Sequence, residues 1–325
     1  MQAVLCRSFG DPSAIRLEDV PSPKMGDGDV RIAVKAAGVN FPDILMIEGK
    51  YQVKPGLPFI PGLEVSGEVM ECGADVTHLK PGQRVLAFAR SGGGYASEIV
   101  LPGEIVTPIP QTMDFVTAAA FPVAYGTAHF ALTHRGNLQA GETLLVLGAT
   151  GGVGLAAIEV GKLLGARVIA AARGDHKLAI AREHGADEVI DYEREDLRVR
   201  LKELTNDRGV DVVFDPVSGE SFTQSMRAIA WEGRILVIGF ASGDIASVPT
   251  NMVLVKNFSV IGVVFGAHSE RFPDDTRQRF AQLFEHHAAG ALKPRIWKTF
   301  ELADASSALA EITARRVVGK MVLTV

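Results

Sequence analysis

The sequence predicts an α/β fold: a mostly-β N-terminal domain followed by a doubly wound parallel sheet. Three observations predict it. Short apolar strands alternate with helical patterns through the middle of the chain. A glycine cluster separates the first of those strands from its helix. The N-terminal third is cut into short strands by Pro- and Gly-rich turns. Two domains are expected, because 325 residues exceed what one hydrophobic core ordinarily supports.

In order along the chain, "DVRIAVKAAGV" alternates apolar and polar positions, the pattern of a half-buried strand, and "GQRVLAF", "YASEIVL" and "IVTPI" are further short strands. "PSPKMGDGD", "KPGLPFIPG" and "SGGG" read as loops between them. From about Val123 the texture changes. "LLVLG", "ARVIAAA", "EVI", "VDVVFD" and "RILVIGF" are unbroken apolar runs, as expected of strands covered on both faces. Between them "VGLAAIEVGKLLG", "DHKLAIAREHG", "DLRVRLKELT" and "GESFTQSMRAIA" have helical spacing. "FSVIGVVFG" reads as the last buried strand, "RFAQLFEHHAAGAL" and "DASSALAEIT" as helices, and "GKMVLTV" as a closing strand.

Composition excludes several classes. Hydrophobic residues make up 47% and charged residues 22%, an ordinary globular balance. A formal net charge of −5 opposes general nucleic-acid or anionic-membrane binding, since neither has a basic surplus to neutralise phosphates. No uncharged apolar run reaches the roughly 18 residues of a membrane span. The N-terminus lacks an apolar signal core, and the two cysteines, Cys6 and Cys72, make no disulfide framework, so a cytoplasmic protein is expected.

The glycine cluster "GATGGVG" carries the first chemistry. Gly148, Gly151, Gly152 and Gly154 let the backbone turn tightly and approach a ligand without Cβ clashes. The helix start that follows turns backbone N–H groups and the positive end of its dipole toward a diphosphate. The spacing varies the usual dinucleotide fingerprint, but a strand before it and an amphipathic helix after it supply the required context. At the end of the next strand an NAD site commonly carries Asp or Glu for the ribose 2′-hydroxyl. Here Ala172 stands there, followed by Arg173 and Lys177, two cations suited to a 2′-phosphate. NADPH is therefore expected over NADH. Asp175, the competing carboxylate, lies beyond the strand and reads as a helix N-cap.

No metal site is expected. Zinc needs three or four converging ligands, whereas Cys72 and His78 have no closely spaced partners and His286 and His287 would point apart on a helix. No G-x-S-x-G elbow marks a hydrolase. Tyr51, in the loop-rich "GKYQVKPGLPFIPGLEVSG", is a candidate hydrogen-bond donor to a carbonyl oxygen under reduction, or else a packed ring with a wet hydroxyl. Asn40 and Asp43 in "GVNFPDIL" are either turn formers or groups that orient cofactor and substrate.

These residues fall into segments that together resemble one group. "GVNFPDILMIEGKY", "PGLEVSGEV", "KPGQRV", "AAAFPVAYGTA", "GATGGVG", "DPVSGE", "VIGFASG" and "GKMVL" occur in the order of the zinc-free quinone oxidoreductase branch of the medium-chain dehydrogenase/reductase superfamily. The likeness implies a GroES-like catalytic domain of residues 1–122, completed by 267–325, around a Rossmann NADPH-binding domain of residues 123–266. It implies that Asn40 and Thr127 lie near the nicotinamide and its ribose, that Gly151, Gly152 and Val153 receive the diphosphate, and that Arg173, Lys177 and Tyr192 surround the 2′-phosphate. Phe240, Ala241, Val264, Phe265 and Gly266 would border the nicotinamide, and Lys320 would reach the cofactor from the tail. It also implies a homodimer paired through "FSVIGVVFG". In zinc-bearing relatives a Cys stands at the position of Asn40 and Gly-His-Glu at that of "GLE", so this chain departs from them at Asn40 and Leu63 and keeps Glu64.

The expected function is thus transfer of a hydride from NADPH to a quinone or a similar conjugated, electron-poor small molecule, without a metal. Asn40 and Tyr51 are the candidate catalytic residues. One alternative is a 2-enoyl thioester or enone reductase with Tyr51 as proton donor; another is a non-catalytic NADPH-binding protein.

Overall fold

The computed structural model describes residues 1–325, which form two compact units. The first comprises Met1–Val123, Gly266–Glu285 and Pro294–Val325; the second comprises Ala124–Phe265 and His286–Lys293. The short returning segment 286–293 thus packs with the second unit, whereas the family resemblance implied that all of 267–325 completes the first. Its hold is specific. The Lys293 N–H donates to the buried Glu159 carboxylate at 3.0 Å, and Leu292 is fully buried.

The first unit contains β1 (Gln2–Leu5), β2 (Arg16–Asp19), β3 (Asp29–Val39), β4 (Glu64–Cys72), β5 (Arg84–Phe88), β6 (Glu98–Pro102) and β7 (Val106–Pro108). In β3 the alternation seen in the sequence is a real division of faces: Val30, Ile32 and Val34 enter the core while Asp29, Arg31 and Lys35 do not. β3 pairs antiparallel with β4 and with β6, β4 with β5, and β5 with β7. β1 and β2 form a separate antiparallel pair.

The second unit is built on β8 (Thr143–Leu147), β9 (Arg167–Ala172), β10 (Glu188–Asp191), β11 (Val210–Asp215), β12 (Ile229–Val237) and β13 (Ser259–Gly262). All are parallel, in the order β10-β9-β8-β11-β12-β13. This is the doubly wound dinucleotide-binding order, and it reverses between β8 and β11, the crevice where such sheets take ligands. Leu144 to Leu147 and Val212 to Phe214 are completely buried, which explains their unbroken apolar runs. β13 is different from expectation. It covers only Ser259–Gly262 of "FSVIGVVFG", occupies the sheet edge and is largely exposed; Phe265–Arg271 that follows is a helix.

The chain ends in β14 (Ile296–Glu301) and β15 (Lys320–Thr324), which belong to the first unit. β15 pairs antiparallel with β3, Met321 facing Val39, and parallel with β14. That register is what brings the tail to Asn40 at the end of β3.

Candidate functional site

The glycine loop begins where β8 stops. Gly148 has φ +56°, and a Cβ on Gly154 would fall 2.4 Å from the Gly148 carbonyl oxygen, so neither position admits a side chain without strain. Gly151 is the N-cap of the helix Gly152–Leu163, and no side chain caps it. The first N–H groups of a helix have no acceptor within it, so this start is a set of donors of the kind that can bind an anion. A Cβ on Gly151 would touch little, its nearest neighbour being the Gly148 oxygen at 3.5 Å; the open side is the one from which a diphosphate would approach.

β9 ends at buried Ala172, with exposed Arg173 next to it. The Arg173 guanidinium lies over the Tyr192 ring, 5.4 Å from its centroid, and 3.5 Å from the Glu193 carboxylate. Lys177 sits half-buried in the first turns of the helix Asp175–Glu183. Arg173, Tyr192 and Lys177 thus present a flat ring and two cations beside the end of β9. Asp175 is not the cap it resembled in the sequence. Gly174, at φ +79°, takes the N-cap, and Asp175 pairs with Arg194 at 3.1 Å. With Asp175 on Arg194, the carboxylates nearest the end of β9 come from β10 and the residues after it: Asp191, whose Oδ2 accepts the Gly174 N–H at 3.2 Å, and Glu193 beside Arg173.

Other residues of the second unit are placed as follows. Thr127 is half-buried on the helix Phe121–His129, Phe240 is half-buried after β12, and Ala241 is exposed. Val264 is exposed, whereas the Phe265 ring is buried against Gly126 and stacks obliquely on Phe130 at 5.8 Å. Gly266 opens the returning part of the first unit, where a Cβ would meet the Phe88 ring.

The first unit holds a second constellation. The register Gly38–Glu64 between β3 and β4, and Met321–Val39 between β15 and β3, sets Asn40, Glu64 and Lys320 side by side. The Lys320 ammonium donates to Asn40 Oδ1 at 2.6 Å and Glu64 Oε1 at 2.5 Å. Asn40 Nδ2 donates to the same Glu64 oxygen at 2.8 Å, and the Val123 N–H donates to the other at 2.7 Å. Glu64 is fully buried and starts β4 rather than lying in a loop. Only glycine fits at Gly38, because a Cβ there would overlap the Glu64 carboxylate at 2.1 Å. Lys320 itself is buried, its charge committed to Glu64 rather than projecting free from the tail.

Asp43 lies beneath this cluster, fully buried. Its Oδ2 accepts the Asn40 N–H at 2.7 Å, across the first turn of the helix Phe41–Ile47, and the Tyr95 hydroxyl at 2.9 Å. Its Oδ1 has no hydrogen-bond partner. Burial pushes the Asp43 pKa up to about 7, against the pull of the Asn40 N–H, Tyr95 and Lys320; nearby Glu64 adds to the rise. Tyr51 is half-buried against the same core, and burial raises its pKa, Arg90 opposing and Asp43 reinforcing. Its hydroxyl therefore keeps its proton across the neutral range.

This donor set does not suit zinc. The Glu64 charge is already matched by an ammonium, Asn40 contributes an amide rather than a thiolate, and no group of three His, Cys, Asp or Glu side chains converges anywhere in the structure. The sequence marked Asn40, Asp43 and Tyr51 individually, but it did not reveal that Glu64 and Lys320 form one pair, or that Tyr95 holds Asp43. Those contacts join residues 256 and 52 positions apart and leave no local pattern.

A six-stranded parallel sheet with a glycine loop at its reversal, joined to a largely antiparallel unit completed by the chain's end, defines a medium-chain dehydrogenase/reductase architecture. Family comparison agrees: residues 26–111 match the alcohol dehydrogenase GroES-like domain and residues 152–283 the zinc-binding dehydrogenase domain. The chain is 43% identical over 324 residues to quinone oxidoreductase-like protein 2 homolog of Nematostella vectensis, covering 99% of this chain and 88% of that protein. It is 32% identical over 327 residues to quinone oxidoreductase of Rattus norvegicus, covering 99% and 97%. Among solved structures, Escherichia coli quinone oxidoreductase complexed with NADPH superposes with a TM-score of 0.93 at 26% identity, covering all of both chains. The chain belongs to the quinone oxidoreductase branch of the medium-chain dehydrogenase/reductase superfamily.

Proposed function

We propose that the protein is an NADP-dependent oxidoreductase that passes a hydride from NADPH to a quinone or a similar conjugated, electron-poor small molecule, and needs no metal to do so. The observation that carries this reading is the uncapped helix start at Gly151, beside a strand that ends on Ala172 rather than on an acidic residue and is followed by Arg173 and Lys177, with Tyr192 under the Arg173 guanidinium. The relatives named as quinone oxidoreductases, one of them solved with NADPH, support it.

The residues fit the cofactor. The N–H groups of Gly151, Gly152 and Val153 would take the diphosphate, and Arg173 and Lys177 the 2′-phosphate, with Tyr192 as a platform for the adenine end. Thr127, Phe240, Ala241, Val264, Phe265 and Gly266 would contribute to the nicotinamide end. When bound, NADPH supplies the hydride, and the protein supplies position and dryness.

The first unit is proposed to serve the acceptor. Lys320 and Glu64 lock both ends of the Asn40 amide, so Asn40 acts as a fixed wall with a defined dipole rather than a mobile donor. Tyr51 carries a hydroxyl that could donate a hydrogen bond to an acceptor oxygen; burial raises its pKa, which keeps the proton on it but makes it a weaker acid. The second reading, a reductase of enones or 2-enoyl thioesters, would use the same hydroxyl as the proton donor. Steady-state assays with benzoquinones, small enones and enoyl thioesters separate the two. Under the first reading quinones turn over fastest and Tyr51→Phe retains most of that activity; turnover confined to enoyl substrates and abolished in Tyr51→Phe would establish the second. Dialysis against a chelator should leave activity intact.

A homodimer paired edge to edge through β13 is proposed as well. β13 is an unpaired sheet edge; Val260 on it, Leu254, Val255 and Val264 near it in the chain, and Trp231 on the neighbouring strand β12 are exposed apolar side chains.

A further inference from the structure

β11 ends on Asp215, which has no exposure at all. Its Oδ1 accepts the backbone N–H groups of Val217 and Ser218, both at 2.8 Å, while its Oδ2 has no hydrogen-bond partner. Burial raises its pKa, against those two N–H bonds. A carboxyl with one bare oxygen in the interior is costly, and so is the turn that it holds. Ser218 lies at φ 65° and ψ −159°, a region that favours glycine, and Gly219 follows at φ +66°.

That turn touches two parts of the candidate cofactor site. A Cβ on Gly148 would meet Val217 Cγ2 at 2.8 Å and Pro216 Cγ at 3.5 Å, so the turn braces the glycine loop directly. It also anchors the segment from Ile238 to Ala246, which carries Phe240 and Ala241. The Ala241 and Ser242 N–H groups donate to the carbonyl oxygens of Pro216 and Val217, each at 3.0 Å, and the Ala246 N–H donates to Ser218 Oγ at 3.0 Å. Ile238 and Gly239 donate to the Asp215 carbonyl oxygen itself.

We infer that Asp215 is a positioning residue for the dinucleotide: through the strained Pro216–Gly219 turn it sets the glycine loop and the Ile238–Ala246 segment relative to one another. The inference rests on the NADPH reading above and adds a residue to it that contacts neither phosphate nor ring. β8 and β11 are neighbours at the sheet reversal, so the turn at the end of β11 is the natural brace for the loop at the end of β8. A plain connection there would have needed neither the bare carboxyl oxygen nor the left-handed serine. Because the brace serves the diphosphate and nicotinamide ends, the adenine end beside Arg173 is independent of it.

Fluorescence or calorimetric titration with NADPH and with adenosine 2′-monophosphate, which keeps the 2′-phosphate but has neither the diphosphate nor the nicotinamide half, tests this. Asp215→Ala should weaken NADPH about tenfold or more while the monophosphate stays within about twofold of wild type. Asp215→Asn, which keeps an acceptor for both N–H groups, should restore most of the NADPH affinity. Should Asp215→Ala fail to fold, Ser218→Ala, which severs the Ala246 bond from the same turn, should show the same selectivity for NADPH. Equal weakening of both ligands, unchanged NADPH binding, or an Asn variant as poor as the Ala variant would each overturn the inference while leaving the NADPH reading standing. Wild-type protein that binds neither ligand would overturn that reading, and this inference with it.

Discussion

Lys320 carries a charge that the first unit cannot lose cheaply. It and Glu64 are both buried, and the Glu64 carboxylate spans Asn40, Val123 and the ammonium. Removing one member of a buried pair strands the other charge, at a cost of about 3–5 kcal/mol. Lys320→Met should accordingly lower the unfolding free energy by that order in denaturant titration, and a loss under 1 kcal/mol would show that the pair carries little. Asp43 gives a different signature. Its folded pKa, raised to about 7 by burial, lies above its value in the unfolded chain, so the folded state holds the proton more tightly. Its contribution to stability is complete at acid pH below the unfolded value and is lost as pH rises toward 7. Asp43→Asn should flatten that part of the stability–pH curve relative to wild type; an unchanged slope would reject the assignment. None of this was legible residue by residue. Asn40, Asp43 and Tyr51 stood out as polar groups in an apolar context, but their partners are set by sheet register rather than by neighbours in sequence.

Elements were legible in proportion to how uniformly they are buried. β8, β9 and β11 are covered on both faces, so their apolar runs are unbroken, and the glycine loop after β8 is dictated by close backbone approach at Gly154. β4 escaped notice because its first positions, Glu64, Ser66 and Gly67, are buried without being hydrophobic; Ser66 is satisfied by the Phe115 carbonyl oxygen at 2.6 Å. "FSVIGVVFG" is apolar yet exposed at a sheet edge, and an apolar run alone does not tell a buried strand from an edge strand. The proposed dimer pairs through β13, and Val260→Lys, which puts a charge on the edge, should convert it to monomer in light scattering. A monomeric wild type, or a lysine variant that stays dimeric, would exclude β13 as the interface.

At the scale of the molecule there are two units, one built on a parallel sheet with a glycine loop, the other on a sheet whose last strand returns from the far end of the chain. The change of texture near Val123 falls where the chain passes from one to the other, but the packing of residues 286–293 with the second unit leaves no pattern in the sequence, since it is made by long-range contacts such as the Lys293 N–H on Glu159 and by the burial of Leu292. A ligand that binds only the folded chain stabilises it in proportion to the logarithm of its concentration over Kd, so NADPH should raise the melting temperature more than NADH at equal concentration. Selection of the phosphorylated dinucleotide through Arg173 and its neighbours is tested directly by calorimetric titration of wild type and Arg173→Ala with both coenzymes. Wild type is expected to bind NADPH at least about tenfold more tightly than NADH, and Arg173→Ala to remove most of this preference by weakening NADPH alone. Equal affinity for the two coenzymes in wild type, or equal losses for both in the variant, would contradict that selection.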